Sequence, residues 1–206
     1  MAFSPEVAAR LAALECHGTF EAHLTVDAAT PERRAAFADA CARLGVACVL
    51  IELAAGDHRA QPMTSSRHHG ALAGVLVEIE ALHSALAAHG FAPVRVKLEA
   101  DASNPGVPID DPAAYFEYHA RLALPPDADL EALRTLCLAA GAHLSHNERS
   151  AGSRFVTLRV RDPVRAPIAF AELVHILVAA GHTVASTKAE YTLHDDRLEL
   201  DAGWLP

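Results

Sequence analysis

A chain of 206 residues with a formal net charge of −9 excludes nucleic acid as the main partner, because a phosphate backbone selects a basic surface. Hydrophobic residues at 51 % and charged residues at 21 % exclude a disordered composition, while aromatics at only 5 % leave the core to Ala, Leu and Val. Four cysteines, Cys16, Cys41, Cys48 and Cys137, show neither C-x-x-C nor zinc-finger spacing and read as reduced thiols of a cytoplasmic protein.

The first predicted element is a short helix to about Leu14, capped by the Ser4 hydroxyl ahead of Pro5 and Glu6. Met1 to Gly18 lacks the basic start and apolar stretch of a signal peptide, and no apolar run is long enough to span a bilayer. Phe20 to Val26 alternates as a half-buried strand does, with Glu21, His23 and Thr25 on its polar face. Thr30-Pro31-Glu32 opens a helix that Gly45 ends, and Val46 to Leu53 is an apolar run of strand length. Ala54 to Gly70 is less regular. Its second half, Met63 to His68, reads as a polar strand presenting Thr64, Ser66 and His68. A long helix from Ala71 to His89 stops at Gly90, and Pro93 to Ala100 alternates again with Arg95, Lys97 and Glu99 on the polar face.

Ala102 to Ala113, rich in proline, reads as a linker. Beyond it Phe116-Glu117-Tyr118-His119-Ala120-Arg121-Leu122 repeats the first strand. A helix at Asp127 to Ala140, strands at His143 to Asn147 and Arg154 to Val160, and a helix at Pro167 to Ala180 follow. The last strand carries Lys188 and Glu190. Phe20/Phe116, Glu21/Glu117, His23/His119, Cys41/Cys137 and Gly45/Gly141 share an offset of 96, and Lys97/Lys188 and Glu99/Glu190 share one of 91. A shorter middle loop in the second copy produces that change, so the chain reads as an internal duplication.

The expected fold is α+β: a tandem duplication of a ferredoxin-like βαββαβ module, giving two four-stranded antiparallel sheets with helices on one face, related by a pseudo-twofold. The boundaries are an N-terminal helix at 1–18, repeat one at 19–101, a linker at 102–114, repeat two at 115–200 and a tail at 201–206. Asp195, Asp196 and Asp201 read as a turn and tail, with Trp204 and Leu205 against the body.

In such a module the first strand's Glu-x-His and the fourth strand's Lys-x-Glu stand side by side on the uncovered face. His23 and His119 are the candidate bases, with Glu21 and Glu117 as orienting partners. Lys97, Lys188 and Arg67 are candidates for stabilising charge. Glu99, Glu190, Ser66, His68 and Arg159 complete the candidate ligand set. Imidazole with two carboxylates suits a divalent metal ion, the expected cofactor, whereas the lysines suit an anion.

His23-Leu24-Thr25-Val26 also resembles one half of the signature of the two-histidine phosphoesterases. That resemblance implies acid–base roles for His23 and His119 and a phosphate contact for Thr25. The second copy departs from it, since His119-Ala120-Arg121-Leu122 has no hydroxyl at the matching place.

The functional expectation is a protein that binds a small anionic or phosphorylated ligand, with a divalent metal, in the cleft between the repeats. Phosphoester or ester hydrolysis is the expected chemistry. The alternative is a non-catalytic ligand-sensing or interaction module whose charges form structural ion-pair ladders. A homodimer is compatible with either; nucleic acid and membrane are not expected partners.

Overall fold

The computed structural model describes residues 1–149 and 152–204, so Leu205 and the end of the predicted tail lie outside the described residues. In chain order the elements are α1 (Pro5–Ala12), β1 (His17–Val26), α2 (Pro31–Leu44), β2 (Ala47–Leu53), β3 (Ala60–Ala71), α3 (Leu72–Ala88) and β4 (Pro93–Asp101). The second half adds β5 (Tyr115–Ala123), α4 (Leu130–Ala139), β6 (His143–Asn147), β7 (Ser153–Val160), α5 (Arg165–Ala179) and β8 (Thr183–Asp195), then a 3₁₀ turn at Leu198–Asp201. Local chemistry sets several of these ends. Ser4, Thr30 and Asp129 accept backbone N–H groups at the starts of α1, α2 and α4, and Gly45 ends α2 at a φ of 67°.

The eight strands close into one antiparallel barrel in the order β1-β3-β2-β6-β7-β5-β8-β4. This overturns the expectation of two ferredoxin-like open sheets. The edges that two separate sheets would leave bare pair with each other instead: β2 with β6 and β4 with β8, both antiparallel. Closure removes the unpaired N–H and C=O groups that make an open edge costly. It also turns the face the helices do not cover into an interior.

Helices cover the outside. Phe20, Ala22 and Leu24 of β1 and Ala120 and Leu122 of β5 are fully buried there, with Phe37, Ile79, Cys137 and Leu177 from α2, α3, α4 and α5 in the same apolar cluster. Each large side chain so buried contributes about 1.5–3 kcal/mol.

The predicted linker packs against the barrel rather than hanging free. Asn104 both accepts from the Thr19 N–H (3.1 Å) and donates to the Thr19 carbonyl (2.7 Å). Gly106, at a φ of 79°, comes so close to the chain that an added Cβ would lie 2.1 Å from the Glu15 carbonyl oxygen. No helix among the described residues is long and apolar enough to cross a membrane.

Candidate functional site

Alternation along four strands decides which side chains meet inside the barrel. It turns Glu21, His23 and Thr25 of β1 inward, with Arg95, Lys97 and Glu99 of β4, Glu117, His119 and Arg121 of β5, and Lys188 and Glu190 of β8. All of them line one cavity of roughly 340 Å³. Val49, Ile51, Met63 and Phe155 supply an apolar wall. Register sets Glu21 opposite Glu99 and His23 opposite Lys97; in the second half Glu117 is opposite Glu190 and His119 opposite Lys188. The quartet that repeats in sequence therefore repeats in space, and both copies face one lumen.

The two quartets are tied together. Lys97 Nζ lies 2.8 Å from Glu99 and 2.7 Å from Glu117. Lys188 pairs in the same way with Glu190, at 2.7 Å, and with Glu21. Each ammonium joins a carboxylate of its own half to one of the other. Each imidazole stays within its half: His23 Nε2 is 3.5 Å from Glu21 and 3.3 Å from Glu99, and His119 Nε2 is 3.5 Å from Glu117 and 3.4 Å from Glu190.

The histidines nevertheless differ. His23 Nδ1 faces the Thr64 carbonyl at 3.2 Å, so it carries the proton and donates. Nε2 then faces two carboxylates, and a second proton suits it. Burial opposes that charge, but hydrogen bonding and attraction from Glu99 and Glu21 outweigh burial and raise the His23 pKa. His119 Nδ1 meets the Thr157 hydroxyl at 3.1 Å, which accepts or donates. Here burial wins over attraction to Glu117 and Glu99, and the pKa falls.

The carboxylates divide as well. For Glu21, burial is outweighed by His23 and Lys188; for Glu117, by Lys97 and Arg159; for Glu99, by Lys97 and His23. All three are lowered. Glu190 goes the other way: burial, with repulsion from Glu99, lifts it to about 8 against the pull of Lys188. At neutral pH it holds a proton.

A second network shuts one end. Arg95 is bidentate to Asp195 (2.8 and 2.6 Å) and to Asp201 (3.0 and 2.9 Å). Arg159 pairs with Asp201 and Glu117 and stacks 4.2 Å over the Tyr115 ring, whose hydroxyl donates to Asp195 at 2.7 Å. Trp204 closes over this end and donates to the Leu144 carbonyl at 3.3 Å. Asp195 and Asp201 thus do more than form a turn and tail. The alternation that places Arg95 beside Lys97 signalled the need for a counter-ion, but sequence spacing could not point to residues 100 or more positions away.

Ser66, Arg67 and His68 are not brought to the lumen. β3 lies in the opposite parity, so Met63 and Ser65 face the cavity, with the Ser65 hydroxyl 2.6 Å from Glu21. On the outer side, His68 bonds Ser66 at 2.8 Å and Glu78 of α3 at 2.6 Å; Arg67 shares the inward parity of Ser65 and stands opposite Glu21, but it is exposed and does not line the cavity.

Glu99, Glu117 and His119 each offer a ligand atom within 4.8 Å of the others, a set that fits a divalent ion. Lys97 Nζ already bridges the same two carboxylates. A metal there must displace an ammonium that their attraction holds charged against burial.

No family model and no curated protein matches this chain. Among solved structures it is similar to the regulatory subunit of aspartate kinase from Thermus thermophilus, with 13 % identity over 80 % of this chain and 98 % of that one, at a TM-score of 0.34. A protein of Fusobacterium nucleatum named as a candidate monooxygenase gives 12 % identity over 93 % and 98 %, at 0.33. A heme-binding protein of Thermus thermophilus gives 13 % over 86 % and 90 %, at 0.28. Scores this low carry no argument about function.

Proposed function

We propose that the barrel is an acid–base enzyme acting on a small molecule in its lumen. The observation that carries this reading is that His23 and His119 open onto one cavity, each with Nε2 between two carboxylates. A cavity of roughly 340 Å³ is in the range of small-ligand sites. Thr25 adds support: its hydroxyl is buried in the lumen with no hydrogen-bond partner among the described residues, a place left for a ligand or water.

The working pair is His119 and Glu190. Glu190 stands 3.4 Å from His119 Nε2, and the Thr157 hydroxyl meets the Nδ1 side of the ring at 3.1 Å. For an ester, a water gives a proton to Nε2 as its oxygen bonds to the acyl carbon, and Glu190 gives one to the leaving oxygen as the C–O bond breaks, leaving imidazolium and carboxylate. Direct transfer across the same 3.4 Å resets the site. His23, whose pKa Glu99 and Glu21 raise against burial, faces the remaining carboxylates.

The anionic ligand expected at Lys97 and Lys188 is less well supported there, because each lysine already meets two carboxylates. These bridges also favour a structural reading, in which the ladder only holds the two halves together, but that reading leaves the cavity and the Thr25 hydroxyl without a use.

Hydrolysis of uncharged nitrophenyl esters is the first test. Turnover should fall about a hundredfold in His119→Ala and in Glu190→Gln, and bis(nitrophenyl) phosphate should be the poorer substrate. Turnover that survives both substitutions contradicts the proposal.

A further inference from the structure

Among the described residues, every lysine and arginine of the barrel interior but one is already claimed. Lys97, Lys188, Arg95 and Arg159 each meet two carboxylates. Arg121 also lines the cavity, yet among the described residues it has no ion-pair partner; its Nε donates only to the Ser186 hydroxyl, at 3.4 Å.

Its position is as informative as its lack of a partner. β5 begins at the closed end, where Tyr115 donates to Asp195, passes Glu117 and His119, and reaches Arg121. There Arg121 and Ser186 are exposed, whereas Asp201 and Trp204 at the shut end are 4 % and 8 % exposed. Arg121 therefore marks the mouth. Deeper in, six carboxylates (Glu21, Glu99, Glu117, Glu190, Asp195 and Asp201) face the four paired cations, and protons must make up the difference. The lumen is thus polar along its length, positive at the mouth and rich in carboxylates within.

A ligand with the opposite polarity fits. Arg121 stands two residues beyond His119 on the same strand face, about 7 Å along the strand. We propose that the lumen takes a short zwitterion: its carboxylate is held by Arg121 and Ser186 at the mouth, and its amine points inward to Glu190 Oε2, the oxygen that faces His119 and that neither lysine meets. A few methylenes between the two ends lie along Val49, Ile51 and Phe155. The proposal rests on the lumen being the binding site, and adds the ligand's class and orientation. Amine entry displaces the protons that balance the interior, so binding releases protons and weakens as pH falls.

Trp204 is the chain's single tryptophan and lines the cavity, so its fluorescence reports lumen occupancy. The probes are γ-aminobutyrate, ε-aminocaproate, butylamine and butyrate. The zwitterions should bind wild type about tenfold more tightly than either one-ended probe, the value of one charge-assisted contact. Arg121→Gln should bring them down to butylamine, with butylamine itself unchanged, and Arg121→Lys should keep part of the gain. Equal binding of butylamine and γ-aminobutyrate by wild type, or zwitterion binding unaffected by Arg121→Gln, overturns this inference while leaving the lumen as the site. Failure of every probe to move Trp204 or the His119 ring signals in NMR likewise overturns this inference, while ester turnover decides the proposed function separately.

Discussion

Lys97 of β4 and Glu117 of β5 meet at 2.7 Å although β8 lies between their strands. The bond passes over β8 through the lumen and joins one half of the duplication to the other. Both groups are buried, and Lys97 also neutralises Glu99.

Lys97→Met therefore removes the cation shared by two buried carboxylates, leaving Glu117 to Arg159 and Glu99 to His23, and should destabilise the protein by about 3 kcal/mol, read from urea midpoints. Adding Glu117→Gln to it should recover part of that loss. The same lysine blocks the Glu99–Glu117–His119 set, so Lys97→Ala should gain a zinc-dependent rise in melting temperature that wild type lacks. Equal response of the two proteins to zinc contradicts the blocking role.

Glu190 sets a pH dependence of definite sign. Its pKa rises on folding from 4.5 to about 8, so across that window the folded state binds the extra proton. Its contribution is fully present below the lower value and is lost as pH rises through the upper one. Glu190→Gln should flatten the fall in stability between pH 4.5 and about 8. The lowered Glu99 and Glu117 act in reverse, contributing above the ordinary carboxylate range and losing that contribution in acid.

Asp201 is the buried counter-ion of both Arg95 and Arg159. Asp201→Asn should cost about 3–5 kcal/mol and release the closed end. The direct reading is a red shift of Trp204 emission; an unshifted spectrum shows that the plug stands without this carboxylate.

Thr25→Val removes a hydroxyl that is buried without a partner among the described residues. In the ligand-free protein it should be neutral or stabilising, by about 1 kcal/mol, while weakening occupancy of the lumen. A clear loss of stability means that an ordered water already satisfies the hydroxyl.

Period-two alternation in Phe20–Val26 and Phe116–Leu122 made the polar strand faces legible, and the shared spacing of Glu-x-His and Lys-x-Glu made the two quartets legible. Which way the sheets would close was not, because alternation says what shares a face and nothing about whether a strand edge is free. β3 failed for a related reason. In Met63–His68 polar residues stand at every second and every adjacent place, so hydrophobic pattern could not choose between Ser65 and Ser66 for the inner face, and pairing with β1 and β2 decided it. Asp195 and Asp201 act through contacts far along the chain, Asp195 with Arg95 and Tyr115 and Asp201 with Arg95 and Arg159, which no local pattern encodes.

Two repeated imidazoles share one enclosed lumen, and its carboxylates drive them apart in basicity. Nitrogen-detected NMR of histidine rings across pH measures this directly. His23 should titrate above the ordinary imidazole value of 6.5 and His119 below it. Two rings titrating together at the ordinary value would contradict it.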